Sequence, residues 1–234
     1  MAYRNMTLPE LARHIGMDAR EVKRLADRGV LPGMRVGGEW RFNRAQMLDW
    51  LQQRMHTLDR RHLRNLDRAM SYGDDDAVIC RLLASEAVEM RLQAKSRPSV
   101  LRELVRLAGR TGMVYDPAGI VAALEEREAL GSTALAGGFA FPHPRRPLPY
   151  ATAEPLICLA RVPAGIPFGA PDGRLTDLFA LICCHDDRQH LLALARLARL
   201  FSGELPDALR QVEAAAEALA LIIDCERQLL RQRA

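Results

Sequence analysis

Residues 127–147 read "REALGSTALAGGFAFPHPRRP". A charged helix end runs through small residues and glycines into an apolar stretch. It stops at one histidine, set between two prolines and followed by two arginines. Pro142 and Pro144 restrict the backbone on either side of His143. A neutral imidazole whose one nitrogen is protonated and held keeps the lone pair of the other for attack. Around it, Gly131, Gly137 and Gly138 let backbone approach a bound group, and Ser132 and Thr133 offer hydroxyls. Arg127 offers a forked cation suited to phosphate. Phosphoryl transfer rests mainly on positioning and charge stabilisation, which these residue types supply. Ser132, Thr133 and Gly138 are therefore the expected phosphate-binding residues around His143.

Periodic segments flank this stretch on both sides. "AVEMRLQ" (87–93) alternates as a strand does. Pro98 opens an amphipathic helix with Val100, Leu101, Leu104, Val105 and Ala108 inward; Asp116-Pro117 opens another with Ile120, Val121 and Leu124 inward. Downstream, "PLICLARV" (155–162) and "DLFALICC" (177–184) read as buried strands. "RQHLLALARLARLF" (188–201) reads as a helix, and two more helical patterns close the chain. Helices between short apolar strands predict an α/β layered body over 77–234.

The first third has a different character. The chain of 234 residues carries a net charge of +4, but residues 1–68 hold 14 Lys+Arg against 8 Asp+Glu and the remainder 19 against 21. A basic head on a near-neutral body suggests a nucleic-acid partner. "TLPE" (7–10) is a capping box, and Leu8, Leu11, Ala12 and Ile15 form a stripe closed by Gly16. Asp18 caps a second helix with Val22, Leu25 and Ala26 inward, ended by Gly29. Its outward stripe carries Arg20, Lys23, Arg24 and Asp27, the layout a recognition helix needs. "MRVGGEWRF" (34–42) predicts a hairpin turning at Gly37-Gly38, with Val36, Trp40 and Phe42 on one side. Arg35 and Arg41 beside the turn can meet the DNA backbone. Arg20, Lys23, Arg24, Arg35 and Arg41 are the expected DNA-contacting set. Asn43 then caps a closing helix, so the head spans 1–56.

In the linker that follows, 57–76, the spacing of Leu48, Leu51, Met55, Leu58, His62, Asn65 and Ala69 predicts that the closing helix continues as a short coiled coil. Such a seam would pair two copies into a homodimer and set the half-site spacing.

Several classes are disfavoured. No apolar run approaches membrane-spanning length and the start lacks a signal-like segment, so a cytoplasmic protein without membrane partners is expected. Cys80, Cys158, Cys183, Cys184 and Cys225 form no framework, which predicts free and mostly buried thiols. "CCHDDRQH" (183–190) brings Cys183, Cys184, His185 and His190 close in sequence. Adjacent strand cysteines point to opposite faces, however, and the two histidines share no helix face. Neither a metal nor a cofactor is expected.

The segment "MTLPELARHIGMDAREVKRLADRGVLPGMRVGGEWRFNRAQMLDWL" resembles the excisionase/MerR-like winged helix-turn-helix family. The body, through "REALGSTALAGGFAFPH" and "RQHLLALARLARLF", resembles the fructose/mannitol-type IIA domain of the bacterial phosphotransferase system, in particular its nitrogen-regulatory branch. The second resemblance implies a mixed sheet with helices on both faces. It also implies that His143 accepts a phosphoryl group from an HPr-type carrier protein, with His190 beside it and Arg127 bordering the site. Ala136-Gly137-Gly138 stands where that family usually has a Gly-Asn-Gly-like run, and Pro144-Arg145-Arg146 follows the histidine where a small residue is usual. The combination predicts a transcriptional regulator switched by phosphorylation of His143. Two alternatives remain open at this point: a DNA-binding sensor whose pocket takes a small anion without covalent chemistry, and a phosphocarrier component that passes its phosphoryl group onward.

Overall fold

A computed structural model describes residues 5–73 and 77–231. The head comprises β1 (Asn5–Thr7), α1 (Leu8–Ile15), α2 (Ala19–Asp27), the wing strands β2 (Met34–Val36) and β3 (Glu39–Asn43), and α3 (Arg44–Arg54). A 3-10 turn at Met55–Thr57 separates α3 from α4 (Arg60–Met70). The body runs α5 (Val78–Leu82), β4 (Leu83–Glu89), α6 (Arg97–Gly109), α7 (Pro117–Ala129), β5 (Ala134–Leu135) and β6 (Phe139–Ala140). It continues through β7 (Leu156–Ile166), β8 (Thr176–Cys183), α8 (Asp187–Phe201), α9 (Leu205–Gln211) and α10 (Ala215–Arg231).

Helices begin where the sequence supplies caps. The Thr7 hydroxyl accepts from Glu10 N, and Thr7 N donates to Glu10 Oε2 at 2.8 Å, completing the capping box. Asp18, Asn43, Asp116 and Asp186 accept from the first-turn amides of α2, α3, α7 and α8. Gly16 ends α1 at φ 66°, a conformation open chiefly to glycine.

The body is built on a mixed five-stranded sheet in the order β4-β7-β8-β6-β5. β7 and β8 pair antiparallel, while β4 and β6 lie parallel to their inner neighbours. Both central strands are apolar on both faces. Ile157, Leu159, Leu178, Ala180 and Ile182 pack into one core with α8 and α10. Leu156, Cys158, Phe179, Leu181 and Cys183 pack into a second core with α6 and α7. A sheet covered by helices on both sides needs continuous apolar strands, which explains the runs at 156–162 and 178–183.

The first core does not stop at the head. It extends from Leu11, Val22 and Phe42 through Met47, Leu51, Leu63, Leu66 and Met70 to Leu191 and Leu194. This corrects two expectations. First, α3 does not continue into the linker as one helix: the chain breaks at the 3-10 turn, and Leu58 is extended at φ −74°, ψ 131°. Second, the apolar side of α4 faces α8 and α1 of its own chain, with Leu63, Leu66, Asp67 and Met70 buried. On α4 the covered stripe is thus Leu63, Leu66 and Met70, one position on from the expected His62, Asn65 and Ala69, and it packs within the chain; an apolar stripe has the same period whether its partner is another copy or α8.

Two smaller differences have local causes. The strand expected at 87–93 is β4, at Leu83–Glu89, and the chain turns away from the sheet after Glu89. Val36 pairs across from Glu39 while Trp40 pairs with Arg35, so Val36 lies on the opposite side of the wing and is exposed. Asp74, Asp75 and Asp76, which close the expected linker, lie outside the described residues.

Candidate functional site

His143 follows β6, and that strand is held by aromatic packing. Phe139 and Phe141 lie 5.1 and 5.2 Å from Phe201 of α8 (ring centroids). Phe141 N donates to Thr133 O at 3.2 Å and Ile182 N donates to Pro142 O at 3.0 Å. These contacts deliver His143 to the first turn of α8, where His190 sits. The two rings are 5.1 Å apart and inclined at 65°. The structure thus brings His143 and His190 side by side.

The pair has a defined protonation pattern. His143 Nδ1 lies 2.6 Å from the carbonyl oxygen of Phe141. A carbonyl only accepts, so Nδ1 carries the proton and Nε2 the lone pair. Nε2 is buried and has no hydrogen-bond partner among the described residues, and the same holds for both ring nitrogens of His190. Burial, and then the neighbouring His190 and Arg127, push His143 well below the ordinary imidazole range, with the Phe141 carbonyl acting the other way. Burial, and then Arg127 and Arg146, lower His190 to about 4. Both rings are neutral at physiological pH.

Arg127, from the end of α7, is buried and donates to Gly131 O at 2.8 Å. Burial lowers its pKa, while the carboxylates of Glu128 and Asp49 act in the opposite direction. A buried cation whose field reaches both histidines is suited to stabilise an anion formed between them.

The remaining expected phosphate ligands are engaged elsewhere. Ser132 Oγ donates to Phe168 O at 2.6 Å and accepts from Ala134 N at 3.1 Å. Thr133 donates its hydroxyl to Glu128 Oε1, and its amide donates there at 3.0 Å. Gly138 stands at the opposite end of β6 from His143, several residues away at about 3.3 Å each. Its positive φ of 83° turns the hairpin beside the Arg210–Asp177 pair, and a Cβ there would meet Arg210 Nη2 at 2.8 Å. Nothing among the described residues lies within 4 Å of a Cβ built on Gly131, which turns the chain out of α7 at φ 145°.

The structure also adds residues that sequence reasoning did not single out as partners. Arg145 grips Asp49 of α3 with two bonds, Nε to Oδ1 at 3.1 Å and Nη2 to Oδ2 at 2.8 Å. Arg146 Nη2 reaches the same Oδ2 at 2.9 Å and Ala45 O at 3.2 Å. Gln52 Nε2, nearly buried, donates to Arg145 O at 3.3 Å. The arginines were visible in the sequence; their partner lies roughly a hundred residues away, where no local pattern points to it.

On the head, α2 presents Arg20, Lys23 and Arg24 outward, all exposed, with Arg28 continuing the cluster. Asp27 joins this helix to the wing: it accepts from Lys23 Nζ at 2.7 Å, Arg35 Nη2 at 3.1 Å and Trp40 Nε1 at 3.1 Å. Arg35 also stacks over Trp40 at 5.1 Å. Arg41 pairs with Glu39 at 2.8 Å. Arg35 and Arg41 therefore stand on opposite sides of the wing.

His185 Nε2 meets Thr152 Oγ1 at 3.0 Å, apart from the His143–His190 pair. All five cysteines are free thiols, three of them buried. No helix among the described residues is long and apolar enough to cross a membrane.

This geometry defines a class: an α/β domain with a paired-histidine site, joined to a winged helix-turn-helix head. Comparison with known proteins gives the family. Residues 81–225 match the model of the phosphoenolpyruvate-dependent sugar phosphotransferase system, EIIA 2, and residues 6–55 match a helix-turn-helix domain. The chain belongs to the EIIA 2 family and carries a helix-turn-helix domain at its head. A nitrogen regulatory protein of Bradyrhizobium diazoefficiens is 33% identical over 147 residues, covering 61% of this chain and 91% of that protein. The fructose-specific EIIABC component of Bacillus subtilis is 27% identical over 128 residues, 54% of this chain but 20% of that protein's length. The crystal structure of nitrogen regulatory protein IIA-Ntr from Neisseria meningitidis superposes with a TM-score of 0.57 at 26% identity, covering 62% of this chain and 99% of that one. The head points to DNA binding and the body to phosphotransferase-type phosphoryl transfer.

Proposed function

We propose that this protein is a transcriptional regulator whose DNA or partner binding is set by phosphorylation of His143 Nε2 by an HPr-type carrier. The observation that carries this reading is the buried, unpartnered Nε2 lone pair of His143, fixed by the Nδ1–Phe141 bond, in a chain that also exposes a basic recognition helix. In the step, His143 Nε2 attacks the phosphorus of the carrier's phosphohistidine. The N–P bond on the carrier breaks, and its electron pair returns to the carrier's imidazole. Nδ1 of His143 keeps its proton on the Phe141 carbonyl, so the positive charge that the ring gains faces an acceptor. Arg127 balances the phosphoryl charge, and neutral His190 can donate a hydrogen bond to a phosphoryl oxygen. The added group brings about −1.5 to −2 charges at neutral pH.

DNA binding by α2 and the wing, through Arg20, Lys23, Arg24, Arg35 and Arg41, completes the reading. Two copies on one operator fit the half-site geometry of such heads. Their pairing face would lie elsewhere than the apolar side of α4.

The test is intact mass of the full chain after incubation with phosphoenolpyruvate, enzyme I and an HPr-type carrier, beside His143→Ala. The expected result is an acid-labile gain of one phosphoryl group in the wild type alone. Absence of that gain, with carriers active on a known acceptor, overturns the reading and favours the anion sensor.

A further inference from the structure

We propose that the carboxylate of Asp49 holds the arginines that a phosphoryl group on His143 would otherwise claim, so that α3 of the head latches the acceptor site and phosphorylation releases it. The proposal rests on His143 being the acceptor.

Four observations converge. The first is burial: His143 and His190 are 3% and 0% exposed. A carrier must bring its phosphohistidine into line with Nε2, within bonding reach, and a buried acceptor forbids this. Something covering the site has to move. The second is position. α3 lies on the loop that follows His143, through Gln52 to Arg145 O and Arg146 to Ala45 O, and it packs against α8, which carries His190. The head's closing helix is the element in place to move.

The third is chemistry. Arg145 and Arg146 are the second and third residues after His143; Arg145 grips the Asp49 carboxylate with two nitrogens, and Arg146 reaches it with Nη2, which it shares with Ala45 O. A bidentate fork gripping two oxygens is the geometry that guanidinium uses for phosphate as well as carboxylate. Burial works to raise the Asp49 carboxyl, but the bonds and charges of Arg145 and Arg146 outweigh it and hold the group ionised. The fourth is electrostatic reach. Arg146 lowers His190, and Asp49 acts on Arg127, so the latch and the histidine pair share one field. Glu126 also acts on Arg145 from outside the pair, without a hydrogen bond to it.

A phosphoryl group brings nearly two charges and three acceptor oxygens against the single charge of Asp49. Competition for Arg145 and Arg146 then favours the phosphoryl group and loosens α3. Because α3 is part of the DNA-binding head, modification of the body is passed to the reader through a contact already in place.

The experiment measures the initial rate of phosphoryl transfer from an HPr-type carrier to the full chain, comparing wild type, Asp49→Asn and His143→Ala. Thermal melting is run on each to show that it is folded. Hydrogen exchange across 44–54 is recorded before and after phosphorylation. The latch predicts transfer to Asp49→Asn about tenfold faster than to wild type, with the same final stoichiometry of one. It also predicts that residues 44–54 of the wild type exchange faster once phosphorylated. Equal rates, with unchanged exchange, overturn the latch and leave His143 as the acceptor. Labelling of neither protein, or labelling of His143→Ala to the same extent, removes the acceptor reading and the latch together.

Discussion

Replacing Asp67 by Asn tests how the linker is tied to the body. Asp67 lies on α4 and is fully buried. Arg196 of α8 donates to it from Nε at 2.9 and 3.1 Å, with Nη2 also 2.9 Å from Oδ1, and Arg199 reaches the same carboxylate. Arg196 Nη1 donates onward to Glu226 of α10 at 2.7 Å, and Glu226 accepts from the amides of Ile79 and Cys80. Among the described residues two cations and two carboxylates meet in this network, three of the four groups being wholly buried. Asp67→Asn keeps the shape but removes a buried negative charge that Arg196 and Arg199 share. Breaking a buried pair from one side costs about 3–5 kcal/mol. Arg199 can turn toward solvent and soften this, so the lower end, about 3 kcal/mol, is expected. For a chain of this size that lowers the melting temperature by about 6–12 °C. Urea unfolding followed by circular dichroism gives the free energy. Arg196→Met added to Asp67→Asn should cost much less than it does alone, since the two positions share one network. A loss below about 1 kcal/mol for Asp67→Asn would refute the reasoning and mean that apolar burial alone seats α4.

Neutral buried histidines make the fold acid-sensitive: the unfolded chain binds protons near pH 6.5, while folded His190 refuses them until about 4. Stability contributed above pH 6.5 is thus lost as pH falls toward 4, by about 2 kcal/mol at pH 5 from this group, and urea titrations of His190→Gln should show a flatter profile. Gly16→Ala should destabilise the head by more than about 1 kcal/mol, because φ is 66° and a Cβ would lie 2.4 Å from Asn65 O; thermal melting reads this. Lys23→Ala and Arg20→Ala should each lower the slope of log K against log salt by about 1, measured by DNA titration at several salt concentrations.

Much of this was legible because local chemistry and periodicity dictated it. The caps at Thr7, Asp18, Asn43 and Asp116 announced helices in their own side chains. The doubly buried strands β7 and β8 announced themselves as unbroken apolar runs. The histidine pair was accessible through the resemblance of its two motifs, and the structure brings the two rings together. What was illegible depends on contacts between distant segments. Asp49 looks like a solvated helix residue until the loop at 145–146 is folded onto it. Asp67, Arg196 and Glu226 occur on three helices, and each resembles an ordinary charged position. The seam expected on α4 at His62, Asn65 and Ala69 stands one residue off the covered stripe of Leu63, Leu66 and Met70, and amphipathicity does not say what covers a stripe. Ser132 and Thr133 showed suitable hydroxyls, but Phe168 O and Glu128 claim them.

The central claim is that phosphorylation of the body changes the behaviour of the head. The most direct measurement is an equilibrium titration, at fixed salt, of a duplex selected from random sequence by the full-length protein. Unphosphorylated and phosphorylated wild type are compared with His143→Ala carried through the same phosphorylating mixture. The account predicts that phosphorylation shifts the wild-type Kd by at least about fivefold while the His143→Ala value stays put. Identical Kd values for wild type in both states, with the phosphoryl group verified by mass, would contradict it.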